Sequence, residues 1–458
     1  MYAMTSLWFE SALLPQGWAS QVRLRAIEGH IERVAVGVVA EQGDECHAVG
    51  VPGLLNVHSH AFQRGIAGLT ERRSTDADSF WSWRELMYQF VERIDPDEVQ
   101  ALSALAYAQM LEGGFTHVGE FHYLHHDHNG VPFADPGEMA GRIVAAAADT
   151  GIGLTLLPAF YAHAGFGGAE PTARQRRFCN DAAGFARILE ASARAVHAVP
   201  GGSVGVAAHS LRAVTPAELS AVLELARGRV IHIHIAEQMQ EVEECLAWSG
   251  RRPIQWLLEN HAVDERWCLV HATHATDAEL AGITARGAVV GLCPVTEASL
   301  GDGIFPAARF LAQGGRMGIG SDSNILLDAA EELRLLEYSQ RLVLRARNVL
   351  ASGSGASTGR SLFDAALSGG AQALHPGVAK ATGLAAGAPL NVVSLAATHS
   401  ALLVRREDEI LDSWIFAGGR AVIDCVWRAG VKLVSGGRHR DRERLVARYE
   451  QALRRLLA

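Results

Sequence analysis

The alternation of short, β-rich apolar runs with helix-like stretches constrains this chain more than any other feature. Runs that follow Gly or turn residues lie at Leu54–His60, Phe115–Tyr123, Gly151–Tyr161, Ser203–Ser210, Val230–Glu237, Trp267–Thr273, Ala288–Pro294 and Arg316–Ser323. Between them fall segments of helical character, among them Pro136–Asp149, Pro216–Arg227, Met239–Glu259, Thr276–Arg286 and Ala329–Val349. Several open on Pro, Ser, Thr or Asp, the residues that start helices. Eight strands, each followed by a helix, predict an α/β fold of the (β/α)8 TIM-barrel type.

The two ends of the chain read differently. Leu7–Gly37 predicts short strands with a turn at Glu28–Gly29, and Leu390–Val434 predicts more, with turns at Gly418–Gly419 and Ala429–Gly430. Pairing of the two ends would build one small composite β-sandwich domain. The expected division is 1–50 and 386–436 for that domain, 51–385 for the barrel and 437–458 for a C-terminal helix. In the last segment Leu445, Val446, Tyr449, Leu453 and Leu456 recur at helical spacing between arginines. Ser352–Gly359, rich in Ser and Gly, reads as a loop.

Composition narrows the function classes. No apolar run reaches membrane-spanning length. Met1 to Pro15 has no basic region and carries Glu10, so it does not read as a secretory signal, and a cytoplasmic enzyme is expected. The six cysteines (Cys46, Cys179, Cys245, Cys268, Cys293, Cys425) are scattered without a C-x-x-C, which predicts reduced, buried thiols. A formal net charge of −9 argues against nucleic acid as a partner. An anionic substrate would therefore be met by a local arginine cluster.

Polar residues gather at the C-terminal ends of the predicted strands, where barrel active sites sit: His58, His60, Glu120, Tyr123, His209, His234, Glu237, His271 and Asp322. A single buried histidine is ordinarily a satisfied core residue, but chance does not account for so many at corresponding strand ends. His58 and His60 are two apart in an extended run, so both imidazoles face one side. With His234 and Asp322 they make a three-His, one-Asp ligand set that suits one Zn2+ per subunit, with iron or another divalent metal chemically admissible.

The run Pro52-Gly53-Leu54-Leu55-Asn56-Val57-His58-Ser59-His60 resembles the first-strand signature of the amidohydrolase superfamily. His234-Ile235-Ala236-Glu237, His271 and Ser321-Asp322 resemble the H-x-x-E, lone His and terminal Asp of its branch containing cytosine, guanine and adenosine deaminases. Binuclear members carry a carboxylated lysine on strand four. This chain has only Lys380 and Lys432, neither on a predicted barrel strand, so a mononuclear site is expected. The resemblance implies that the metal lowers the pKa of its water towards ~7. It assigns His271 and Asp322 to accepting the water proton and Glu237 to passing protons to the substrate nitrogen and the leaving ammonia.

Four further motifs resemble the N-formimino-L-glutamate deiminase family: His60-Ala61-Phe62-Gln63-Arg64, Ser79 to Tyr88, Gly119 to His126, and His209-Ser210-Leu211-Arg212. That likeness implies hydrolysis of formimino-glutamate to N-formyl-L-glutamate and ammonia in histidine degradation. Arg84 and Arg212 would each take one carboxylate of the dicarboxylate substrate, and Gln63, Tyr123 and His209 would add hydrogen bonds. Trp81 and Trp83 read as packing residues of the first loop. His125, His126 and His128 read as exposed loop histidines, not a second metal site.

Two other readings stand beside this one. Another aminohydrolase of the same branch, acting on guanine, an adenosine derivative or a different formimino amino acid, would be favoured by aromatic stacking and a single arginine. A catalytically dead barrel serving as an interaction protein would lack the ligands that this chain retains. A homodimer is expected only from the general frequency of dimers.

Overall fold

The computed structural model describes residues 4–73, 78–374 and 383–458. Lys380 lies outside them. Eight parallel strands form the barrel: β1 Leu54–Ser59, β2 Phe115–His122, β3 Gly153–Phe160, β4 Val206–Ser210, β5 Ile231–Ile235, β6 Trp267–His271, β7 Val289–Leu292 and β8 Arg316–Ile319. Each pairs with the next, and β8 returns to β1, so no edge remains. All residues of β2, β3, β5, β6 and β7 are buried, as expected for a parallel sheet covered by helices.

Helix starts follow local chemistry. Thr215 with Glu218 and Thr276 with Glu279 form capping boxes ahead of Pro216–Ala226 and Asp277–Arg286. The single helix expected over Met239–Glu259 is two, Met239–Ser249 and Pro253–Asn260. Gly250 turns left-handed at φ 70°, and Pro253, lacking an N–H, opens the second. Ala329–Leu344 ends short of Val349 because Arg345 is left-handed.

Strands from both ends of the chain make one mixed sheet of eight. Leu395 to Val392 pairs antiparallel with Val49 to Pro52, and Leu7 to Ala12 runs parallel to Glu45–Gly50. Glu28-Gly29 and Ala429-Gly430 both have positive φ at their two residues, the geometry of tight hairpin turns. The expectation of strands throughout Leu390–Val434 needs correction. Asp408–Ser413 is α-helical and runs into a π-helical turn, Trp414–Gly418. Ile410, Leu411, Trp414 and Ile415 share a buried face at helical spacing, which outweighs the β preference of Trp and Ile. Gly418-Gly419 belongs to this helical segment.

The C-terminal helix Arg442–Leu456 buries Leu445, Ala452 and Leu456 and packs on the helix Pro96–Glu112, while Val446 is exposed. Four of the six cysteines are buried, but Cys46 is exposed and Cys179 partly so, contrary to expectation. No described helix is long and apolar enough to cross a membrane.

Candidate metal centre and active site

The seam between β1 and β8 is where the chain builds its site. Ile319 pairs with Asn56 there and Ser59 bridges Asp322, and polar side chains join the backbone in closing the rest. The Asn56 amide donates to Ser321 Oγ at 2.6 Å, and its oxygen accepts the Ser321 N–H. Asn324 in turn reaches Ser59 Oγ and the Asp322 carbonyl. His58 O accepts the Asp322 N–H at 2.9 Å, and the His60 N–H donates to Asp322 O at 2.8 Å. Gly320 must be glycine, since a Cβ there would lie 2.9 Å from His58 Cβ. Asp322 and Asn324 have φ of 43° and 59°, a costly conformation for side-chain-bearing residues that this network imposes.

Four buried ligand atoms converge at that seam, those of His58, His60, His234 and Asp322. His58 Nε2 is 3.1 Å from His60 Nε2 and 3.0 Å from His234 Nε2, and Asp322 Oδ1 is 3.3 Å from both His58 and His60. A tetrahedron with bonds of ~2.0–2.1 Å has edges of about 3.3 Å, so the set fits one small divalent ion. Second partners set the tautomers. His60 Nδ1 donates to Phe121 O at 2.7 Å and His234 Nδ1 to His209 O at 2.9 Å, leaving each Nε2 as a lone pair aimed inward. Burial, and next the neighbouring imidazoles, holds His58 and His234 well below the usual histidine range. Burial also lowers His60, although Asp322 opposes it. Three neutral imidazoles facing one carboxylate are metal donors in waiting. β4 carries no lysine, so nothing there could bridge a second ion.

Beside this set, His271 Nε2 lies 3.8 Å from both Glu237 and Asp322, and its Nδ1 is 3.2 Å from Glu297. Burial alone would lower its pKa, but Glu237, Glu297 and Asp322 together outweigh burial and push it up to about 10. Burial, followed by Asp322 and Glu241, raises Glu237 to about 7, with His271 and Arg212 pulling the other way. Glu241 accepts the N–H groups of Ala236 and Glu237 at 3.1 Å each, fixing the turn that carries Glu237. Glu241 and Glu297 were missed by sequence reasoning. Their spacing, four residues after a turn residue whose N–H they accept, was the available signal.

One pocket of about 670 Å3, including its open mouth, is lined by His60, Gln63, Arg84, Tyr123, His209, Arg212, His234, Glu237, His271 and Asp322 among others. Every residue expected to bind metal or substrate or to move protons lines it except the fully buried His58, while Glu120, also at a strand end, is buried outside it and accepts the Ala61 N–H. Gln63 donates to the Tyr123 hydroxyl at 2.8 Å, while its own carbonyl oxygen has no partner among the described residues. The Arg84 guanidinium lies 4.4 Å over the Trp81 ring and that of Arg212 is 5.6 Å from the same ring. Neither arginine forms an ion pair among the described residues, and the Nε of each is buried without a partner. Glu85, next to Arg84 in the sequence, pairs with Arg174. Trp81 faces both guanidiniums without lining the pocket, whereas Trp83 packs against the core and also lines it.

The expectation of exposed histidines after β2 is wrong for two of three. His125 and His126 are buried, with Nε2 of each at 2.9 Å from the carbonyls of Ala159 and Cys179. Folded inward, each imidazole gives a donor to a buried backbone carbonyl. His128, part-exposed, bridges Glu92 O and Asp95.

Residues 49–431 match the family model of the Amidohydrolase family, and residues 4–48 match that of Formimidoylglutamate deiminase HutF, N-terminal domain. The formimidoylglutamate deiminase of Pseudomonas aeruginosa is 48% identical over 456 residues, covering 99% of this chain and 100% of that protein. The crystal structure of an amidohydrolase from Brucella melitensis aligns with a TM-score of 0.95 at 53% identity, over 99% of this chain and 100% of that one. An adenosine deaminase from Xanthomonas campestris, solved with bound zinc, shares the fold at a TM-score of 0.81 and 23% identity, over 99% and 98% of the two chains. The chain belongs to the amidohydrolase family, and within it to the formimidoylglutamate deiminases.

Proposed function

We propose that the protein binds one Zn2+ per subunit through His58, His60, His234 and Asp322 and hydrolyses N-formimino-L-glutamate to N-formyl-L-glutamate and ammonia. The observation that carries the substrate assignment is the pair Arg84 and Arg212, two guanidiniums on one pocket without carboxylate partners among the described residues. A substrate with two carboxylates, one for each fork, answers both. A nucleobase would give neither guanidinium a carboxylate to pair with, although Arg212 also feels the charges of Glu241 and Glu237.

When bound, the metal supplies the Lewis acidity that makes water a nucleophile near neutral pH. Arg84 and Arg212 hold the glutamate part so that the formimino carbon lies towards the ligand set. Gln63, Tyr123 and His209 line the path between and hydrogen-bond the remaining polar atoms. Glu237, with a carboxyl near 7, can both give and take a proton at working pH. It protonates the imino nitrogen as the carbon takes the oxygen of water. Asp322 and His271 take the proton that water loses. In metal-free protein Glu237, Glu297 and Asp322 keep His271 protonated, whereas a cation held beside its Nε2 would oppose them and favour the neutral imidazole that can accept. Glu237, now a carboxylate, takes the proton of the new carbon-bound hydroxyl and passes it to the same nitrogen, so that the C–N bond breaks, ammonia leaves and the formyl C=O forms, and the proton held by Asp322 and His271 returns to Glu237.

Ammonia release measured across formimino-glutamate, formimino-aspartate, formimino-glycine, guanine and adenosine tests the assignment. Turnover should be greatest on formimino-glutamate. Activity confined to the nucleobases would overturn it. The residue roles and the placement of the enzyme in the cytoplasm belong to the same reading.

A further inference from the structure

His271 is held by a carboxylate that the mechanism above does not use. Glu297 Oε1 lies 3.2 Å from His271 Nδ1 and accepts the Cys293 N–H at 2.8 Å. His271 and Glu297 are 1% and 5% exposed, so water does not compete for the contact. On the other side of the ring, Nε2 faces Glu237 and Asp322. An imidazole whose Nδ1–H is taken by a buried carboxylate has its tautomer and its orientation set together. The backbone needs such a restraint. His271 has φ 68° and Ala272 φ 48°, and consecutive left-handed residues bearing Cβ atoms persist only where surroundings enforce them.

We propose that Glu297 is a positioning residue, whose Oε1 fixes the Nδ1–H of His271 so that Nε2 is presented to the reacting water between Glu237 and Asp322. The competing role is purely structural: closing the short helix Pro294–Leu300 through the Cys293 N–H. A cap acts on stability and would cost the same whatever stands at position 271. A positioning residue acts through His271 and loses its effect when that ring is gone.

The kinetic arm of the test rests on the deiminase reading, and the spectroscopic arm on geometry alone. In metal-loaded enzyme, Glu297→Ala should lower kcat on formimino-glutamate at least about a hundredfold, with KM within about threefold and metal content unchanged. Glu297→Gln keeps an acceptor oxygen and should recover to within about tenfold of wild type. Added to His271→Asn, Glu297→Ala should cost less than about threefold. With isotope-labelled histidine, the slowly exchanging Nδ1 proton of His271, assigned by its loss in His271→Asn, should vanish in Glu297→Ala and persist in Glu297→Gln. Equal losses of kcat in the two backgrounds, loss of metal along with kcat, or an Nδ1 proton that survives Glu297→Ala would each overturn the proposal. Wild-type enzyme inactive on formimino-glutamate would instead overturn the deiminase reading, and the Nδ1 proton would still decide the role of Glu297.

Discussion

His60 and Asp322 are joined twice: the His60 N–H donates to the Asp322 carbonyl at 2.8 Å, and His60 Nε2 sits 3.3 Å from Asp322 Oδ1. The backbone contact that closes the barrel between its first and last strands is thus also the contact that spaces two metal ligands. Closure and ligand geometry depend on each other.

His58→Ala, His234→Ala and Asp322→Asn should each lower bound metal and ammonia release together, because each takes one donor from a set of four. Elemental analysis alongside the ammonia assay checks this. Full metal content and turnover in any variant would remove that residue from the ligand set.

Glu237→Gln should keep its metal and slow turnover by ~10²–10⁴, the usual range for one proton-transferring group. Its side chain lies beside His271 rather than within the four converging ligand atoms. Near wild-type turnover would reduce Glu237 to a structural role.

Arg84→Met and Arg212→Met should each lower kcat/KM on formimino-glutamate at least about tenfold with metal content unchanged, since a charged hydrogen-bonded contact contributes ~1.5–3 kcal/mol. The arginine that holds the distal carboxylate should matter much less for formimino-glycine, which lacks that group. Equal losses on both substrates would assign that arginine to the shared carboxylate or to the scaffold.

His271 makes the stability of metal-free protein depend on pH. Its folded pKa, about 10, lies above the ordinary 6.5, so its contribution is fully present below pH 6.5 and is lost as pH rises towards 10. The stability difference between metal-free wild type and His271→Asn, measured by denaturant unfolding, should therefore shrink between pH 6 and pH 10. A difference that grows with pH would contradict the protonated state.

Gly369→Ala tests the packing of the helix Thr358–Leu374 on β8. An added Cβ would lie 1.8 Å from Met317 O, a backbone atom that cannot rotate away. Overpacking of this kind costs ~1–3 kcal/mol or more, so thermal unfolding should shift down by several degrees. An unchanged melting temperature would mean that the helix can slide.

The eight-strand alternation, the paired His58 and His60, and the ligands His234 and Asp322 were all legible in the sequence, because strand periodicity and C-terminal strand ends are local properties. So were the hairpin turns at Glu28-Gly29 and Ala429-Gly430, where the φ values depend on two residues and their immediate neighbours. Tertiary structure alone decided contacts between residues far apart in the chain. Asn56 meets Ser321 across 265 positions, and no periodicity marks that closure. His125 and His126 look like loop histidines until the carbonyls of Ala159 and Cys179 come within reach. The absence of an ion-pair partner for Arg84 and Arg212 among the described residues is likewise a property of the folded pocket. A sequence shows which charges exist, whereas burial and distance decide which of them remain unmatched for a ligand.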